Sequence, residues 1–486
     1  MSESHPATTS ETARLPRKGE ILELTIGSLS YGGKGVARHD GFVIFVPRTI
    51  PGEQVRARII KRRRGFAEAR VEEVLKPSPN AVDPECPHFG VCGGCSTQNY
   101  PYQQQLEQKQ AQVEDLFTRM GGFRDLEVKP IIGCREIYHY RNKMEFTFST
   151  RPWVVNPDDI ADATGPALGL HVPGRFDKVL DIQECWLQHP VATDIFQWLK
   201  SRINALGLEP YDIKNHTGFL RNLVIRTAGA SSDSLEIMVN LVTSREEPQR
   251  LKSLADELAA AFPSVVSVIN SINTRKAAVA YGEWEIILHG KPTITEHLGG
   301  LVFDISANSF FQTNTAQAAV LYEQIAQACA LTGSEVVYDL YCGTGTIALT
   351  LASKAKEVAG FESVSSAVED ASRNALLNDT YNTRFFHADL SARFFSSQGD
   401  RLRKQIDLPD IVIADPPRAG MHPKLVEEVI GLKPRRVVYV SCNPATQVRD
   451  VRLLVDGGYQ LEAIQPVDMF PHTPHIECLC VLECPA

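Results

Sequence analysis

From about residue 300 onward, short β-branched and apolar runs alternate with helical stretches. SEVVYDLY, KEVAGFE, TRFFHADL, DIVIADPP and RRVVYVSC are each too short for a buried helix and are read as successive strands. Strand–helix alternation of this kind predicts a parallel, doubly wound sheet. SARFFSSQGDRLRKQID, near 391–407, reads as an insertion before the fourth strand, and His475 to Leu482 alternates like a closing strand. The N-terminal pattern differs: across 17–77, ILELTIGSL, GVARHDGFVIFVP and EQVRARIIKRRRGFAEARVEEVL are separated by glycine turns, which predicts a small β-barrel. Residues 101–121 form a polar helix stopped by Gly121–Gly122. Between 130 and 300, KMEFTFS, ALGLHV, LRNLVIRTAG, LEIMVNLV, VVSVINSIN and EWEIILHG are interrupted by two amphipathic helices near 190–205 and 247–261, giving a mixed α/β region. The chain is therefore multidomain: a disordered tail (1–16), a barrel (17–77), a central α/β domain (78–299, its helix 101–121 free to pack on the C-terminal domain) and a C-terminal α/β domain (300–486).

Composition narrows the function classes. No run approaches the roughly 18 to 20 apolar residues of a membrane helix. The start, MSESHPATTSETARLPRKG, has no apolar signal core, so a cytoplasmic protein is expected. The net charge of −8 excludes a uniformly basic nucleic-acid binder, but residues 1–80 carry 14 Lys/Arg against 9 Asp/Glu, a surplus of five. The rest then carries −13, and a basic module on an acidic body points to a nucleic-acid partner. Arg56, Arg58, Lys61, Arg62, Arg63 and Arg64 concentrate that charge on one hairpin, where an anionic partner outweighs a merely solvated edge. Eleven cysteines without a signal peptide suggest metal binding or catalysis rather than a disulfide scaffold. Cys86, Cys92 and Cys95, spaced C-x5-C-x2-C around Gly93–Gly94, lack only a fourth ligand, and Cys185 is the best candidate. The spacing leaves zinc and an iron–sulfur cluster both open.

The remaining motifs sit where strands end, the edge at which open α/β sheets bind ligands. DLYCGTG, Asp339 to Gly345, is a tight glycine turn opening a helix; Glu362 ends the next strand, where an acidic side chain can take ribose hydroxyls, and Asp389 ends the third, within reach of an adenine amine. With no third glycine for a pyrophosphate, S-adenosylmethionine is favoured over NAD. DPPRAG fixes Asp415 between a strand and two prolines, and Gln312, in FFQTN, can reach the methionine end of such a ligand. SCNPAT puts Cys442 at the end of RRVVYV. A lone cysteine there is usually core, but beside a methyl-donor site it reads as a nucleophile, with Arg418 the candidate cation that lowers its pKa. Glu477 opens the final strand, an unusual place for glutamate unless it is paired or functional. The cluster Tyr140, Arg141, Asn142, Lys143 suits RNA or a domain interface equally.

FFQTN, DLYCGTG, DPPR, SCNPAT and HTPHIE, in this order and spacing, resemble the RNA uracil-5-methyltransferase family. The barrel resembles a TRAM domain, an OB-like RNA-binding fold. With the cysteine cluster, the chain is similar to the family's iron–sulfur branch, the 23S ribosomal RNA (uracil-5-)-methyltransferases. The resemblance spans roughly residues 17 to 486. It implies a Rossmann-like methyltransferase domain, Cys442 as nucleophile and Glu477 as base. It implies S-adenosyl-L-methionine contacts from Gln312, Tyr341, Glu362, Asp389 and Asp415, and a 4Fe-4S cluster on Cys86, Cys92, Cys95 and Cys185. The expected partner is RNA, 23S rRNA before tRNA, and the expected state a monomer. Two rivals stand beside this reading. An exocyclic-amine methyltransferase would share DPP but need no cysteine, and an RNA-binding iron–sulfur sensor would transfer no methyl group.

Overall fold

Alternation of buried and exposed positions builds the N-terminal sheet. In the computed structural model, which describes residues 15–155, 166–229, 234–277, 279–390 and 394–485, six strands form it: β1 (Ile21–Thr25), β2 (Ser28–Leu29), β3 (Gly35–His39), β4 (Phe42–Val46), β5 (Gln54–Arg62) and β6 (Phe66–Lys76). Their order is β1-β5-β6-β4-β3-β2. Every second residue of β5, Val55, Ala57 and Ile59, points into a core shared with Ile44, Val46, Ala67 and Ala69. Residues 1–14 of the expected tail lie outside the described residues.

The chain divides into two compact units. The first holds the barrel region to Pro84, Ser96–Gln112 and His472–Pro474; the second holds Glu85–Cys95, Val113–Pro471 and His475–Ala486. Within the first, helix α1 (Tyr102–Asp115) meets the three distant residues. The Gln105 side chain bonds the His472 ring at 3.1 Å and accepts from His472 N at 3.1 Å. His472 is held at φ 63°, and a Cβ on Gly33 would come within 2.9 Å of Pro474.

In the second unit, β7 (Lys143–Ser149), β8 (Ala167–His171), β9 (Val179–Asp181), β10 (Leu220–Ala228), β11 (Glu236–Thr243), β12 (Val265–Ile272) and β13 (Trp284–Gly290) form a seven-stranded sheet. Helices α2 (Pro190–Ala205) and α3 (Lys252–Ala261) cover one face, sharing a core with Phe146, Leu223, Ile225 and Val239. A hairpin follows, β14 (Thr293–Leu298) and β15 (Leu301–Ser306), and the expected domain boundary at 299/300 falls on its Gly299–Gly300 turn.

The last sheet runs α4 (Thr315–Cys329), β16 (Val336–Leu340), α5 (Thr346–Ala352), β17 (Glu357–Glu362), α6 (Ser365–Leu377), β18 (Thr383–His387), α7 (Phe394–Arg403), β19 (Ile411–Ala414), α8 (Pro423–Leu432), β20 (Arg436–Ser441), α9 (Pro444–Asp456), β21 (Gln460–Val467) and β22 (Glu477–Glu483). The strand order is β18-β17-β16-β19-β20-β22-β21. The five strands read from the sequence are parallel, but β22 is antiparallel to both β20 and β21, so the sheet is mixed rather than wholly parallel. No crossover helix joins β21 to β22, and a short loop permits only antiparallel pairing. The stretch read as an insertion contains α7, the crossover between β18 and β19, and its Phe395 packs on Tyr338 and Phe361.

Candidate active site

The sheet reverses its strand order at β16, flanked by β17 and β19, and the crevice at their C-terminal ends is the expected ligand site. Tyr341 leaves β16 in the left-handed region (φ 65°). Gly343 (φ 53°) and Gly345 (φ 82°) turn the chain into α5, and a Cβ at 345 would lie only 3.0 Å from Phe385. Glu362 props this loop, accepting from Gly343 N at 3.2 Å and from Ser363 N and Val364 N at 2.7 and 2.9 Å. Burial pushes the Tyr341 hydroxyl up to about 12, helped by the charges of Asp450, Asp389 and Glu362. Gln312 is half-buried, its backbone carbonyl accepting from Asn142 Nδ2 at 2.9 Å. Asn142 also donates to Thr315, and Tyr140 donates to Pro471 O at 3.1 Å, so these two residues of the 140–143 cluster make packing contacts inside this unit.

The antiparallel register of β20 and β22 does the rest. The ladder ends where Ser441 pairs with Cys478, so Cys442 follows the last paired residue of β20, Glu477 is the first residue of β22, and the charge of Glu477 acts on the Cys442 thiol. Asp415, at the end of β19, acts electrostatically on both side chains. Burial pushes the Cys442 thiol up to about 11, reinforced by Glu477 and Asp415 and opposed by Arg418, which donates a hydrogen bond to the sulfur. Burial likewise lifts Asp415 to about 7 and holds Glu477, only 4% exposed, well above the carboxylate range. Asp339 beneath the loop is raised by burial and then by Asp415 and Glu362. Four crowded carboxyls make a site that gains from a cationic ligand.

A family profile described as tRNA (Uracil-5-)-methyltransferase matches residues 188–484, and a TRAM domain profile matches 17–71. The chain belongs to the tRNA (uracil-5-)-methyltransferase family. It is 43% identical over 474 residues to an uncharacterized RNA methyltransferase of Chlorobaculum tepidum, covering 96% of this chain and 97% of that one. It is 41% identical to a similarly described protein of Porphyromonas gingivalis, covering 94% and 99%. Among solved structures it is similar to the Pyrococcus abyssi tRNA (uracil-54, C5)-methyltransferase in complex with S-adenosyl-L-homocysteine. That likeness has a TM-score of 0.72 and 29% identity over 95% of this chain and all of that one. The protein is an S-adenosylmethionine-dependent RNA methyltransferase with an N-terminal TRAM domain. No helix among the described residues is long and apolar enough to cross a membrane.

In this methyltransferase Cys86, Cys92 and Cys185 feel one another's charge, and Cys95 and Cys86 both act on Tyr138. Amide hydrogens point at the sulfurs: His88, Phe89 and Trp186 at Cys86, Gly94 at Cys92, Leu187 and Gln188 at Cys185. Burial pushes Cys92 up to about 11. Among the described residues, no three His, Cys, Asp or Glu side chains converge as they would around a metal ion.

The TRAM hairpin corrects the sequence-based grouping of its arginines. Arg56 is tied to Glu73 and Glu23 at 2.5 and 3.2 Å, and Arg58 to Glu72 at 2.6 Å. Arg62, Arg63 and Arg64 instead line a cleft of about 600 Å³ with Arg17 and Lys18; the backbone N–H of Arg17 donates to the Glu20 carboxylate at 2.7 Å. Sequence reasoning also missed Asn443 and Gln447. Asn443 caps α9 by accepting from Ala445 N and ties down Arg418 O at 2.9 Å. Gln447 donates to Tyr439 O and Cys478 O, clamping β20 to β22 below the cysteine. Asn directly before Pro at a strand–helix junction was a legible cap signal; Gln447, one helical turn inside, gave none.

Proposed function

We propose that this enzyme methylates carbon 5 of a specific uridine in 23S rRNA, through a transient bond between Cys442 and carbon 6. The observation that supports the reading is that Cys442 and Glu477 lie at the shared end of paired strands β20 and β22, with Glu477, Asp415 and Arg418 all acting on the thiol. S-Adenosyl-L-methionine supplies the methyl group as an electrophile. Gln312, Tyr341, Glu362, Asp389 and Asp415 would bind it, the carboxylates offsetting its positive charge. The Cys442 thiolate adds to carbon 6, and the ring π-electrons move to carbon 5, which becomes nucleophilic enough to take the methyl group. Glu477 then removes the carbon-5 proton. The released pair restores the 5,6 double bond as the carbon–sulfur bond breaks and returns the thiolate. The target must leave its stack first, at a cost of a few kcal/mol, which a single-stranded loop reduces.

Cys86, Cys92, Cys95 and Cys185 would hold a 4Fe-4S cluster. Amide hydrogens aimed at three of the sulfurs suit thiolate ligands. A four-iron cluster spaces its ligands more widely than one zinc ion, whose sulfurs sit about 2.3 Å from the metal. The cluster would staple 86–95 to Cys185; methyl transfer moves no electrons. Iron and broad visible absorbance in anaerobically purified protein test this, and colourless zinc protein refutes it.

RNA containing 5-fluorouracil tests the chemistry: a stable adduct is expected, absent in Cys442→Ala, and no adduct with the intact protein sinks the reading. A tRNA target is the second reading, favoured by the likeness to an enzyme named for uracil 54 of tRNA. Mapping 5-methyluridine in both RNAs from cells lacking the protein decides between them. The enzyme is proposed to act in the cytoplasm as a monomer.

A further inference from the structure

The thiol that must ionise stands in an unfavourable place. Burial, Glu477 and Asp415 all hold its proton on, and Arg418 is the group that opposes them. Whether Cys442 becomes a thiolate therefore depends on where the Arg418 guanidinium is kept. The backbone end is fixed: Arg418 O accepts from Asn443 Nδ2 at 2.9 Å and from Thr446 Oγ1 at 3.2 Å. The side chain is long, and no carboxylate lies within ion-pair distance of it among the described residues. Besides the sulfur, its side chain meets His475. Arg418 Nη2 lies 3.2 Å from His475 Nδ1 and 3.3 Å from Nε2. A nitrogen equidistant from both ring nitrogens meets the ring broadly rather than along one lone pair. The His475 ring is itself braced edge-on by Phe470, with centroids 6.2 Å apart at 87°.

We propose that His475 is a positioning residue, holding the Arg418 guanidinium against Cys442 Sγ; the proposal rests on the nucleophile reading above. The residue type matters. An aspartate or glutamate at 475 would grip Arg418 more firmly but neutralise it, and the sulfur would lose its counter-charge. An imidazole can steer the guanidinium without a carboxylate's full counter-charge. His475 also precedes the base Glu477 by two residues, so one short segment sets the geometry of both proton-handling partners.

Iodoacetamide alkylation of Cys442, followed at the peptide level in the full-length protein from pH 6.5 to 9.5, tests this without RNA. Only the thiolate reacts, so the rate reports its fraction. His475→Ala should slow Cys442 alkylation at pH 7.5 by about 5–10-fold and displace its titration upward by up to about one pH unit, a tenfold change in thiolate per unit. His475→Asn, which keeps an acceptor, should recover most of the rate. His475→Glu should be as slow as Ala although its side chain holds Arg418. S-Adenosylmethionine affinity within about twofold of the parent identifies folded variants; should the Ala variant fail that check, the Glu variant decides. An unchanged Cys442 profile in a folded Ala or Glu variant overturns the proposal. Methyl transfer surviving in Cys442→Ala would instead overturn the nucleophile reading and leave the alkylation result standing.

Discussion

At the scale of single residues, the site is a set of acids held away from their ordinary ionisation. Glu477 must be charged when it takes the carbon-5 proton, yet burial and Asp415 favour its neutral form. Replacing it with glutamine removes the base and leaves the thiolate. Glu477→Gln should therefore accumulate a methylated protein–RNA adduct on ordinary uridine RNA, with turnover reduced by about 10² to 10⁴, measured on denaturing gels with labelled methyl donor. Asp415 gives a pH prediction. Its folded-state pKa of about 7 lies above the ordinary 3.8, so the folded protein holds this proton more tightly than the unfolded chain does. The stability it contributes is present below about pH 4 and is lost as the pH rises to about 7. A cationic ligand favours the ionised carboxylate, so S-adenosylmethionine should bind more tightly at pH 8 than at pH 6, and its thermal stabilisation should be larger there. Calorimetry at both values checks this; equal affinities would contradict it.

At the scale of elements, Tyr341, Glu362, Asp389 and Asp415 each end or follow a parallel strand, whereas Gln312 lies in the loop between the antiparallel hairpin and α4; the parallel strands were legible because β-branched runs separated by helical stretches admit few topologies. Cys442 and Glu477 were legible as residues but not as neighbours. Their closeness comes from β22 inserting antiparallel beside β20, which strand–helix alternation does not announce. Arg56 and Arg58 lie on the expected hairpin, but sequence shows clustered charge and not the β6 glutamates that meet it, Glu73 opposite Arg56 and Glu72 diagonal to Arg58. Asn443 connects two elements, capping α9 and tethering the Arg418 loop. Asn443→Ser keeps a good cap but cannot reach Arg418 O. Urea stability should stay within about 0.5 kcal/mol, small beside the ~1 kcal/mol of losing a cap altogether, while methyl transfer falls by about tenfold. A matched loss of stability and activity would show the tether to be irrelevant.

At the scale of the whole molecule, residues 1–80 of an acidic chain carry a surplus of positive charge, and five of those cations, Arg17, Lys18, Arg62, Arg63 and Arg64, line one cleft. Phosphate contacts release counter-ions, so each one lost lowers the salt dependence of RNA binding, by about 0.7 in the log–log slope for single strands. Arg62→Gln and Arg63→Gln should each reduce that slope, whereas Arg56→Gln should leave it unchanged; fluorescence anisotropy with a labelled oligonucleotide between 50 and 200 mM salt measures it. The joining of His472–Pro474 to the N-terminal unit bears on descent as well as on binding. Those three residues belong, by chain order, to the stretch that leads into Glu477, yet they rest on α1 and on Gly33. A lineage that discarded or exchanged its N-terminal module would strip that stretch of its support along with its RNA grip. A grafted module is expected to work only when that short segment travels with it.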